Sequence, residues 1–159
     1  MLSTIAEVKR GYEVGGVCLA VPGLILARED KVLSAANLEA IEGIPLKEVL
    51  GCRTGLEVTV ENEANAAAWG EFRFGAGKYV EDLILVTLGT GVGAGVISHG
   101  VLLRGARGTG GELGHIIVHP AGPRSHSKSC ALLSSSLVAF RAQTKVRFVA
   151  LGEDSTMRG

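Results

Sequence analysis

Residues 56–74 read LEVTVENEANAAAWGEFRF. The first five alternate apolar and polar side chains and are partly β-branched, the pattern of a half-buried strand. From Glu63 the stretch is alanine-rich with an acid in its first turn, which predicts a helix over 63–74. The segment ENEAN at 61–65 therefore straddles a strand-to-helix junction. Residues 83–95, LILVTLGTGVGAG, place another apolar strand before a run of glycines. Upstream, Pro45 suits the start of a helix that continues through LKEVLGCRT and stops at Gly55. Strands and helices alternate from residue 45 onward, so the fold class is α/β.

Working outward, residues 1–11 predict a helix stopped by Gly11. Residues 14–21, VGGVCLAV, form an apolar run closed by Pro22-Gly23 and predict a buried strand ending in a turn. Residues 24–38 suit a hairpin around Arg28-Glu29-Asp30, and residues 93–103 a second hairpin turning at His99-Gly100. A glycine-rich element begins at 110–114 and ends at Pro120.

The chain has 159 residues, enough for one domain or two half-domains. Sixteen Lys+Arg balance sixteen Asp+Glu, which argues against nucleic acid or an anionic membrane as partners. Apolar residues at 47% suit a globular core, and no apolar run approaches the roughly 20 residues of a membrane span. The N-terminus shows no signal-peptide pattern. Cys18, Cys52 and Cys130 are an odd set without close spacing, so a reducing cytoplasm is expected, with Cys18 and Cys52 buried or semi-buried. Composition breaks at residue 124. Residues 1–124 hold 21 of the 23 glycines and three serines, whereas 125–159 hold two glycines and seven serines.

Three segments have the residue types for chemistry. In LGTGVGAG at 88–95, glycines after a strand allow close backbone approach, and consecutive N–H groups suit a phosphate. Gly89, Thr90 and Gly91 are the candidate phosphate contacts. The segment is neither a Walker loop nor G-x-G-x-x-G, and a tight hairpin with glycine bulges explains it equally well. In ENEAN, Asn62 suits polyol hydroxyls and Glu63 can accept a hydroxyl proton; the alternative is helix capping. In GGELGH at 110–115, Glu112 and His115 share a face if helical and suit sugar hydroxyls, or a metal at His115; a structural histidine is the alternative. His115, His119, His126 and Cys130 also show zinc-like spacing, but two of the four lie beyond the composition break.

Together, ENEANAAAWGEFRFGAGK and LILVTLGTGVGAGVISHGVLLRGARGTGGELGHIIVHPAGPR resemble the ROK family of repressors and sugar kinases, its bacterial glucokinases above all. Val21-Pro22-Gly23, Asn37-Leu38 and Ile44-Pro45-Leu46 support the resemblance, which covers about 14–124. It implies a partial actin-like (ribonuclease-H-like) sugar kinase fold. Residues 1–81 would be a remnant of the small lobe, 82–124 the start of the large lobe, and 125–159 a tail of separate origin. It implies ATP and Mg²⁺, a hexose substrate and a cytoplasmic homodimer, while the balanced charge leads to the expectation of no nucleic-acid or membrane partner. By position, Glu63 would be the catalytic base, Asn62, Glu112 and His115 would bind sugar hydroxyls, and Gly89, Thr90 and Gly91 would face the phosphates.

The departures from the family pattern carry expectations too. The family's D-x-G-G-T phosphate loop is missing, as is most of the large lobe, so the chain is expected to be truncated at both ends and inactive alone. The base is Glu63 where the family has Asp. Ser125, Ser127 and Leu132 stand where the family's zinc cysteines belong, which leaves His115 as the one retained zinc ligand and makes zinc unexpected. The competing expectations are a sugar-responsive repressor of the same family and a non-catalytic sugar-binding remnant.

Overall fold

The computed structural model describes residues 2–26, 29, 31–35, 38–88 and 92–116, and the backbone of 147–152. The chain divides into two compact units. The first is Met1–Glu63 with Ala106–Thr109, and the second comprises the rest.

In the first unit, α1 (Leu2–Gly11) is followed by β1 (Gly16–Val21) and by the antiparallel hairpin of β2 (Leu24–Leu26) and β3 (Lys31–Ser34). A 3₁₀ turn (Glu39–Ile41) leads to α2 (Leu46–Thr54) and β4 (Glu57–Asn62). Helix α2 begins after Pro45 and ends at Gly55, whose φ of 67° permits the left-handed cap bonded to the Gly51 carbonyl. Lys9 Nζ donates to the Thr54 carbonyl at 3.0 Å, adding a cation where the helix dipole is negative. Strands β1 and β4 are parallel, with Val21 opposite Asn62. Val21, Ile25, Val32, Ala35, Leu46 and Val60 form the core, with Leu19 and Ile41 packed on it.

Two expectations change here. Strand β1 is not buried throughout, because Gly16, Cys18 and Ala20 are exposed while Val17, Leu19 and Val21 turn inward. Strand pleating separates those sets regardless of how apolar both are. Cys18 is exposed for that reason. Cys52 is exposed because it lies off the α2 stripe of Leu46 and Leu50 that packs inward.

In the second unit, α3 (Glu63–Phe74), whose first residue closes the first unit, precedes β5 (Leu83–Leu88), β6 (Val92–Ser98) and β7 (Val101–Leu102). Then come a 3₁₀ turn (Leu113–His115) and β8 (Arg147–Gly152). The sheet order is β7-β6-β5-β8, antiparallel except that β8 runs parallel to β5. Leu83, Leu85, Ile97 and Leu102 pack with Ala68 of α3 in the core. Helix α3 approaches β6 closely because both faces are small: Ala64 and Ala68 meet Gly93 and Gly95.

The β6–β7 turn falls at His99-Gly100, as expected, with φ of 50° and 74° at the two central residues. Asp82 accepts the His99 backbone N–H at 2.9 Å and the Ser98 hydroxyl at 2.8 Å. Those bonds, the backbone one foremost, hold its carboxyl below the ordinary carboxylate range. A depressed folded pKa stabilises the turn above the unfolded pKa, and the contribution is lost as pH falls through the folded one. The His99 amide resonance is therefore expected to titrate at a pH below the ordinary carboxylate range. In Asp82→Asn that inflection is expected to vanish, as NMR across an acid titration would show.

Candidate functional site

One candidate cluster stands at the carboxyl end of β4, in the first unit. Strands β1 and β4 are parallel, so the Val21-Pro22-Gly23 turn and the ENEAN junction emerge at the same sheet edge. In parallel sheets that edge is where ligands bind. Asn62 is the last residue of β4, and Glu63 is the first of α3. The Asn62 Nδ2 donates to the Gly23 carbonyl at 3.0 Å and to Glu63 Oε2 at 2.8 Å. Glu63 is exposed, and its carboxylate sits in the first turn of α3, where the helix dipole favours negative charge. The two sequence candidates are thus hydrogen-bonded to each other. A carboxylate beside an amide donor is equipped to accept a proton from a bound hydroxyl.

Two further residues belong to this cluster and were not given a site role by the sequence. Glu61 is buried at 8% exposure, and its Oε1 accepts the Asn62 backbone N–H at 2.9 Å. It shares its pleat phase with exposed Glu57 and Thr59, so strand alternation predicts exposure. Gly23 carried a turn signal and, with Val21 and Pro22, part of the family resemblance, but no site role. Asn65, inside the quoted ENEAN, is buried at 3% exposure.

A separate candidate cluster, in the second unit, is the segment 110–115. Its backbone lies against β6: a Cβ at Gly111 (φ +85°) would meet the Ala94 carbonyl oxygen at 2.7 Å, and one at Gly114 would overlap the Val92 carbonyl oxygen. That backbone-on-backbone seating leaves Glu112 and His115 partly exposed. The Leu113–His115 turn is 3₁₀, in which side chains three apart eclipse. Glu112 Oε2 and His115 Nε2 are accordingly 3.6 Å apart. The expected shared face exists, and it pairs an acceptor carboxylate with an imidazole.

Gly89, Thr90 and Gly91 lie outside the described residues; the flanking Leu88 and Val92 are paired as the last rung of the β5–β6 hairpin. His119, His126 and Cys130 lie outside them too. The donor chemistry does not fit a zinc site of the family type, because serine at 125 and 127 and leucine at 132 are not zinc ligands. Among the described residues, no group of three or more His, Cys, Asp or Glu converges on a metal position. Nor is any helix among them long and apolar enough to cross a membrane.

The sequence model of the ROK family matches residues 1–153, nearly the whole chain. The chain belongs to the ROK family. The match continues past the composition break at 124. The glucokinase of Thermotoga maritima is 41% identical over 87% of this chain and 44% of its own length. The ROK hexokinase structure from Thermus thermophilus superposes with a TM-score of 0.71 at 35% identity, over 79% of this chain and 42% of that one. A ROK glucokinase from Streptomyces griseus, solved in complex with glucose and AMPPNP, superposes with a TM-score of 0.67. It is 44% identical over 76% of this chain and 38% of its own. The ROK chain described here thus has a mixed α/β architecture that is part of a ROK sugar kinase fold. It spans less than half the length of these relatives.

Proposed function

We propose that this ROK chain carries the sugar-binding and proton-accepting residues of an ATP-dependent hexose kinase. The observation that carries the reading is the Asn62–Glu63 pair, hydrogen-bonded at the carboxyl end of parallel β1 and β4. Asn62, Glu112 and His115 bind hexose hydroxyls. Glu63 accepts the proton of the reacting hydroxyl as its oxygen bonds to the γ-phosphorus of ATP and ADP leaves. Gly89, Thr90 and Gly91 face the phosphates, where backbone N–H groups offset developing negative charge. Mg²⁺ accompanies ATP in this reading and supplies further charge neutralisation. The relative with bound glucose and AMPPNP supports a hexose and ATP as the two substrates.

The same reading assigns 1–81 and 82–124 to the small and large lobes and a homodimer to the assembly. The net charge of zero supports a protein that does not bind nucleic acid. The family match runs on to residue 153, so a separate origin for the serine-rich 125–159 rests on its composition and its missing cysteines alone. Reading the DNA around the Arg124 codon in all three frames is expected to yield the cysteine motif in another frame. No such frame would make the tail genuine.

D-Glucose titrated calorimetrically into the chain tests the binding half. Saturable binding that weakens about tenfold or more in Glu112→Ala is the expected result, since each lost hydrogen bond to a charged group costs about 1.5–3 kcal/mol. Absence of heat with every hexose tried would overturn it.

A further inference from the structure

Gly23 sits in the turn after β1 at φ +115°. A Cβ there would overlap the Ser34 carbonyl oxygen and stand 2.8 Å from Ala35 Cα. The turn is therefore clamped against the end of β3, and only glycine fits both the backbone angle and the space. Its carbonyl accepts one Nδ2 hydrogen of Asn62, a residue 39 positions away, at 3.0 Å. Glu63 Oε2 takes the other at 2.8 Å. A primary amide has two N–H donors, and both are assigned. A carbonyl can only accept, so Gly23 decides which way round the Asn62 amide sits. Any further bond of that side chain is accepted at Oδ1.

We propose that Gly23 is a positioning residue for Asn62. Its carbonyl orients the amide toward a sugar hydroxyl and, through the second N–H, steers the Glu63 carboxylate. The β2–β3 hairpin thereby acts on the site without touching ligand. The proposal rests on the hexose-binding reading above.

The test is side-chain amide exchange by NMR on the ¹⁵N-labelled full chain, with the Asn62 resonances identified by their loss in Asn62→Ser. Both Asn62 Nδ2 protons are expected to exchange about tenfold or more slower than those of an unstructured asparagine. Gly23→Ala is expected to return one of them to the solvent rate and to weaken D-glucose binding about tenfold. Gly43→Ala is the control. Gly43 also has a positive φ of 70°, but a Cβ there meets nothing within 4 Å. Its Asn62 amide is expected to match the wild type. The wild-type rates need no variant to fold. Solvent-rate exchange in the wild type overturns the assignment, and so does a folded Gly23→Ala with wild-type amide protection and glucose affinity. Protected amide protons in a chain that binds no D-glucose uphold the positioning role and overturn the hexose reading instead.

Discussion

Gly95→Val is expected to unfold the second unit or lower its melting temperature by about 10 °C or more. A Cβ at Gly95 would overlap the Ala68 methyl and stand 2.7 Å from the Ala64 carbonyl oxygen and 3.2 Å from Asn65 Cα. Two of those three atoms are backbone, so no rotamer change relieves the clash, and α3 must lift from β6. Overpacking of this kind costs about 1–3 kcal/mol or more. In a unit of this size each kilocalorie shifts the melting temperature by roughly 4–8 °C. Because α3 starts at Glu63, the displacement also reaches the candidate base. Gly70→Ala on the same helix is the matched opposite. A Cβ there meets nothing within 4 Å, so the change is expected to stabilise by about 0.5–1 kcal/mol through helix propensity alone. Thermal denaturation followed by circular dichroism separates the two. Equal melting temperatures for wild type and Gly95→Val would contradict the close approach of α3 to β6.

The second large effect concerns Glu63. Any D-glucose-dependent ADP release by this chain, which is expected to be inactive alone, should fall about 10²–10⁴-fold in Glu63→Ala, the usual worth of a positioned general base. Glu63→Asp separates the two features of the side chain. It keeps the charge but shortens the reach by one methylene, and displacements of about 1 Å can change rates by about 10²-fold. In this chain Glu63 Oε2 is held 2.8 Å from the Asn62 amide, so the longer side chain has a fixed partner as it stands. Glu63→Asp is expected to alter turnover by about that factor and leave D-glucose affinity nearly unchanged, a kcat effect without a KM effect. A wild-type rate no higher than that of Glu63→Ala would sink the active-enzyme reading and leave a sugar-binding module.

Local sequence signals located the elements well where they acted alone. Alanine content and an acidic first turn marked α3 over 63–74, the bounds the structure shows. Pro45 and Gly55 bracketed α2, and His99-Gly100 marked the β6–β7 turn. These are short-range effects: helix propensity, a fixed proline φ, and the freedom of glycine at positive φ. The candidate pairs were legible for the same reason. Asn62 and Glu63 are neighbours at a strand-to-helix junction, and Glu112 and His115 are three apart in a turn that makes that spacing eclipse.

What stayed hidden was whatever depends on a partner distant in the chain. The apolar run 14–21 does not say that Cys18 faces outward, because only the placement of β2, β3 and α2 decides which pleat face is covered. Glu61 has the phase of an exposed residue and is buried by tertiary packing around the end of β4. The hydrogen bond from Asn62 to Gly23 spans 39 residues and needs the parallel β1–β4 register to bring the two together. Composition, local propensity and spacing sufficed for the α/β class, the element positions and the candidate residue pairs, since each rests on interactions within a few residues; the roles proposed for those pairs came from the family resemblance. Orientation, burial and the support behind the Asn62 amide came only with the fold. Those properties depend on which surfaces meet, and that is settled when distant segments pack.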